Sequence, residues 1–142
     1  MAIDKSVKEQ ILSILMRDSR KSFRTIANEL NISTTTVSRI VKELEDKGII
    51  LGYTTFVDWN KMGYESTLCI LVSISPNADT DKVGGSIKDI QGVKQVFYTT
   101  GETTFSAYAV CKNNIEASTV LEQLRRIKGV EQVVGHTVLK IF

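Results

Sequence analysis

The chain has 142 residues, 42% apolar and 24% charged, with one proline and nine glycines, the composition of a folded globular protein. No apolar run approaches the ~18 residues of a membrane helix, and the first ten residues lack the apolar centre of a secretory leader, so a cytoplasmic chain with reduced thiols is expected. One histidine, His136, and two cysteines, Cys69 and Cys111, at no metal-ligand spacing speak against zinc sites and most hydrolytic chemistry.

The net charge of +2 is unevenly placed. Between Arg17 and Lys42 stand Arg17, Arg20, Lys21, Arg24, Arg39 and Lys42 against only Asp18 and Glu29. That local excess suits either an anionic partner or a solvated basic face. Ile3, Val7, Ile11, Ile14 and Leu15 recur at helical spacing, with Asp4 placed to cap. Ser22 can cap a second helix, Phe23 to Leu30, and Asn31-Ile32-Ser33 makes a tight connection. Ser33 can cap a third helix, about Thr34 to Lys47, because its hydroxyl can accept an orphan N–H of the first turn. Gly48 suits its left-handed stop.

Ile49 to Val57 has the composition of a strand, read as a wing or connector, and Asp58 to Tyr64 is a turn-rich hinge. From residue 66 the period changes to two. Strands are expected over Ser66–Ser75, Val93–Thr100, Thr103–Lys112 and Glu131–Phe142, with helices over Asp79–Ile90 and Ile115–Ile127, the latter capped by Asn114. The order βαββαβ is ferredoxin-like. Two helices cover one face of such a sheet, and the apolar residues on the other call for a cover; a second copy of the chain supplies it. The expected limits are 1–52 for the helical part, 53–65 for the connecting strand and hinge, and 66–142 for the dimerising half.

A helix-turn-helix followed by a βαββαβ half resembles the Lrp/AsnC, or feast/famine, family of transcription regulators. The residues that carry the resemblance are Ile32 to Arg39, Leu44 to Tyr53, and Thr99-Thr100-Gly101-Glu102. It implies an α+β chain: a winged helix-turn-helix, then a ferredoxin-like RAM or ACT-like domain. It also implies a sequence-specific regulator that binds double-stranded DNA, without enzyme activity, cofactor, metal or membrane partner. Homodimers assembling to an octamer or another higher oligomer are implied, as is an amino-acid effector acting through the assembly.

Thr35, Ser38, Arg39 and Lys42 share one face of the third helix and suit a major groove, where Arg39 and Lys42 can reach guanine edges or phosphates. Ser22, Arg24 and Ser33, near helix starts, are candidates for phosphate contact, and Thr34 is a further DNA-binding candidate. Each residue is also consistent with a plain solvated face. The family's effector pocket would fall near Gly101, Glu102, Thr103, Thr104, Val133 and Gly135.

Two positions depart from the family pattern. Ile40 stands where a basic residue is common, and Thr103 and Thr104 replace an aromatic and an aspartate in the loop. Without that carboxylate the loop loses a partner for a ligand ammonium, so weak binding of ordinary amino acids is expected. Tyr53, Phe56 and Trp59 are expected in core or dimer contacts rather than stacked on bases. Cys69 and Cys111 fall on strands expected to be neighbours; small buried thiols are the commoner outcome there, a regulatory disulfide the rarer. Two rival functions remain at this point. One is an amino-acid sensor or oligomerisation module that does not bind DNA, and the test is whether the chain shifts duplex DNA. The other is a haem-pathway decarboxylase, which would need histidine and arginine around a tetrapyrrole and would be coloured when loaded.

Overall fold

The computed structural model describes residues 6–142, and the chain forms two compact units, one up to Phe56 and one from Val57 to Phe142. The first unit holds three helices: α1 (Val7–Arg17), α2 (Phe23–Leu30) and α3 (Thr34–Asp46). Serines open all three. Ser6, Ser22 and Ser33 accept from the backbone N–H of Glu9, Thr25 and Thr36, and Glu9 reaches back to the Ser6 N–H to close a capping box. Ser6 is thus the cap of α1; the expected cap Asp4, and Ile3, lie outside the described residues. The turn before α3 uses Asn31 at φ 53°, and Gly48 at φ 65° follows the Lys47 cap of α3. One stripe of each helix faces inward, and Ile11, Leu15, Ile26, Ala27, Val37, Ile40, Val41 and Leu44 form the core. Ile40 is 5% exposed, so a charged side chain there would be buried in this chain.

The expected strand over Ile49–Val57 is not formed. A strand needs a neighbour to take its N–H and C=O groups, and no described segment pairs with this stretch. Leu51 and Phe56 consequently stand 95% and 96% exposed. Tyr53 does not enter the core either; its hydroxyl donates to Glu45 Oε1 of α3 at 2.6 Å.

The second unit opens with a short 3-10 turn, Trp59–Met62, where Trp59 meets the Tyr64 ring edge-on at 5.2 Å. There follow β1 (Ser66–Ile74), α4 (Thr80–Lys88), β2 (Val93–Tyr98), β3 (Phe105–Cys111), α5 (Asn114–Arg125) and β4 (Val130–Thr137). The four strands form one antiparallel sheet in the order β2-β3-β1-β4, the ferredoxin-like topology. Asn113, not Asn114, caps α5; its side chain accepts from the Glu116 N–H, and Asn114 instead accepts from the Ser66 hydroxyl. β4 ends at Thr137 rather than Phe142, because Val138 makes the last ladder-like bond, to Thr67 O, just where β1 begins.

Alternation decides what each face does. Leu68, Ile70 and Val72 of β1, Phe105, Ala107, Ala109 and Cys111 of β3, and Val133 of β4 pack against Val83 and Ile87 of α4 and Val120 and Leu124 of α5. Each large aliphatic group so buried stabilises the unit by about 1.5–3 kcal/mol. The opposite face carries Cys69, Leu71, Tyr108, Val134 and His136, with Cys69 directly between Tyr108 and His136 in the ladder. Neither α4 nor α5 packs on it; Thr67 and Val110 of this face are buried, while Cys69 and His136 are exposed.

Candidate nucleic-acid interface

The polar side of α3 is a consequence of its core side. With Val37, Ile40, Val41 and Leu44 buried and Thr36 and Glu43 half-buried, the remaining positions Thr34, Thr35, Ser38, Arg39, Lys42, Glu45 and Asp46 are all exposed. Thr35, Ser38, Arg39 and Lys42 therefore do share one open face, as their spacing requires. Arg39 forms no ion pair among the described residues, whereas Lys42 Nζ sits 3.3 Å from Asp46 Oδ2 one turn later. Arg24 of α2 is exposed as well.

Ser22 and Ser33 have a second duty. Each hydroxyl accepts a backbone N–H and shares a further hydrogen bond with a threonine hydroxyl, Thr25 at 2.8 Å and Thr36 at 2.7 Å. These groups are spent on holding helix starts, so the open donors near them are Arg24, Thr34 and Thr35. At the far end of α3 the electrostatics reverse. Glu43 binds Lys8 of α1 and Lys47, each at 2.7 Å, and these two ammonium groups pull its carboxyl from the ordinary 4.5 down to about 2. The hydrogen bond to Glu45 holds the Tyr53 phenol protonated, up to about 12. Neither link was foreseen. The Ser6-x-x-Glu9 spacing was readable as a capping box, whereas Lys8–Glu43 joins residues 35 apart and leaves no local signal.

The expected effector residues are dispersed. Gly101 and Glu102 are exposed at the β2–β3 loop, which is tied down through its backbone. Thr104 N–H donates to Val72 O, Thr99 N–H to Thr104 O, and the Thr99 hydroxyl to Thr103 O. Val133 is 8% exposed within the core, and Gly135 faces α5, where an added Cβ would stand 2.9 Å from Leu121 Cδ2. Both point to the helix side of the sheet, whereas Glu102 is exposed on the loop. Two hollows do exist in this unit, about 270 Å3 beside Tyr64 and α5 and about 570 Å3 beside Asp79 and Lys128. None of the six residues lines either.

The two thiols are separated by the sheet itself. Cys111 belongs to the helix-side core and Cys69 to the open face, opposite Tyr108 rather than Cys111. Both are free, and a bond between them within one chain is excluded by their facing apart.

Comparison with known proteins agrees with this geometry. The winged helix-turn-helix DNA-binding family matches residues 6–50, and the Lrp/AsnC ligand binding domain matches residues 67–142. The chain belongs to the Lrp/AsnC family. An uncharacterized HTH-type transcriptional regulator of Pyrococcus furiosus is 31% identical over 148 residues, covering 99% of this chain and 94% of the relative. Among solved structures, PH0061, from a protein of Pyrococcus horikoshii, superposes with a TM-score of 0.85 at 29% identity, covering 100% of this chain and 97% of the other. The L-Met complex of the regulator NMB0573 from Neisseria meningitidis gives 0.76 at 26% identity, over 98% and 91% of the two chains. This chain is therefore a DNA-binding transcription regulator of the Lrp/AsnC type, with a winged helix-turn-helix ahead of a ferredoxin-like ligand-binding half.

Proposed function

We propose that α3 enters the major groove of double-stranded DNA in the cytoplasm, reading bases through Arg39 with Thr35 and Ser38 beside it, while Lys42, Arg24 and Thr34 meet phosphates. The observation that carries this reading is the exposed face Thr35-Ser38-Arg39-Lys42, backed by a fully apolar core stripe on the same helix. A groove helix needs both: side chains free to reach base edges and a scaffold that holds their spacing. Two copies joined through the open sheet face would present two such helices to a two-fold operator, and further association of dimers would give the higher assemblies of the family.

Selection of bound sequences from random duplexes tests the docking. Arg39→Ala is expected to cost about 1–3 kcal/mol on the selected site and to relax preference at one position; Lys42→Ala is expected to weaken all sequences alike and lower the salt slope by about one. Equal affinities for both variants and the parent chain would overturn the assignment.

The L-Met complex of the related regulator supports an amino-acid effector as a second element of the reading. At the β2–β3 loop Thr103 and Thr104 offer neutral hydroxyls where the family has an aromatic and an aspartate, and Glu102 stands beside them as a substitute carboxylate at a different position. A neutral hydrogen bond contributes about 0.5–1.5 kcal/mol against about 1.5–3 for a charged one, so weak or altered amino-acid binding is expected. Calorimetry with the twenty amino acids measures it. A micromolar signal that survives Glu102→Gln with Thr104→Val would place the ligand elsewhere.

A further inference from the structure

We propose that Asp46 is a positioning residue that attenuates DNA affinity by competing with phosphate for Lys42. The inference rests on α3 being the groove helix, and three observations on that helix carry it.

Asp46 is the last residue of α3, where the helix dipole favours cations, yet the last turn holds no basic residue at all. The Lys42–Asp46 pair joins side chains that are 75% and 64% exposed, and it runs lysine before aspartate, the weaker orientation at this spacing. Helix stability therefore gains little from Asp46. The neighbouring carboxylates are committed elsewhere: Glu43 to Lys8 and Lys47, Glu45 to the Tyr53 hydroxyl. Lys42 is the only partner Asp46's side chain has among the described residues. A residue that breaks a local folding rule without a gain elsewhere in the fold points to function.

On the proposed face Lys42 is the basic group nearest the C-terminal end of α3. To reach a phosphate it must leave Asp46, and the freed carboxylate then lies beside the negatively charged backbone. Both effects oppose binding on any sequence, because phosphates carry no base identity. Asp46 thus lowers affinity without altering preference, and leaves the N-terminal part of α3, with Thr35, Ser38 and Arg39, to read.

The experiment is Asp46→Asn in the full chain, titrated against a selected duplex and an unrelated duplex across a series of salt concentrations. Affinity is expected to rise about three- to tenfold on both duplexes at low salt, the gain fading as salt rises and screens the carboxylate. The melting temperature is expected not to fall. In a Lys42→Ala background the gain should shrink to half or less. Unchanged affinity in Asp46→Asn overturns the proposal, and so does a gain of equal size without Lys42. Arg39→Ala on the same duplexes separates the two levels. If it leaves affinity unchanged, α3 is not the groove helix. If it weakens binding while Asp46→Asn strengthens nothing, only the role of Asp46 falls.

Discussion

The helical unit and the sheet unit solve the same packing problem in different ways, and their sites differ accordingly. In the helical unit each helix buries one stripe, so the polar stripe of α3 is complete within a single chain and its residues are neighbours in sequence. In the sheet unit the two helices cover one face and leave Cys69, Leu71, Tyr108, Val134 and His136 uncovered on the other. Its surface chemistry depends on residues brought together by ladders between distant strands, and on whatever covers that face. A local site can be judged from one chain; a site made across strands and copies needs the assembly.

Cavity variants break this comparison most forcibly. Leu44→Ala and Ile70→Ala each remove a fully buried side chain, one per unit, at about 2–5 kcal/mol. Trp59, the single tryptophan, lies in the sheet unit and serves as its reporter. Leu44→Ala should abolish DNA binding while the Trp59 melting curve stays in place. Ile70→Ala should shift that curve. One joint transition in both variants would mean the units do not unfold separately.

Glycine variants sharpen it at smaller cost. Gly48 ends α3 at φ 65° with nothing near its missing side chain, whereas Gly129, at φ 95° before β4, has the Ala78 Cβ only 2.7 Å from where its own would stand. Gly48→Ala should cost only the left-handed strain, about 1–2 kcal/mol. Gly129→Ala should cost about 1–3 kcal/mol for strain and more for the clash. Chemical denaturation checks the order, and equal losses would show that the sheet unit yields as easily as an open helix end.

The smallest effect is one of shape with pH. Glu43, held near 2 by Lys8 and Lys47, contributes stability that is complete above its ordinary 4.5 and is lost as pH falls towards 2. Glu43→Gln should flatten the acid limb of the stability profile of the helical unit over that window, with stability below the parent's near neutrality and converging on it as pH approaches 2. A profile of the same shape in both proteins would remove Lys8–Glu43–Lys47 as the source of acid sensitivity.

The helical unit was largely legible because its signals are local. Ser22 and Ser33 mark helix starts by chemistry that acts over three residues, and the α3 face follows from a period of 3.6. The sheet unit was legible as an order of elements, since alternation reports a strand without its partner. It was not legible as a set of faces for candidate residues. Val133 and Gly135 turn towards the core through their register with Val72 and Ile70, which no local pattern states. The stretch Ile49–Val57 shows the converse: β-prone composition makes no strand where no neighbour supplies hydrogen bonds.

The placement of the two thiols on opposite sides of the sheet has a practical corollary. Burial and the Glu116 carboxylate push the Cys111 thiol up, away from the reactive thiolate, while Cys69 lies open in the second unit. A maleimide dye should therefore attach at one address, in the middle of the uncovered face, without any engineering of the chain. Its attachment rate, followed over protein dilution, would act as a gauge of how often that face is shielded by another molecule.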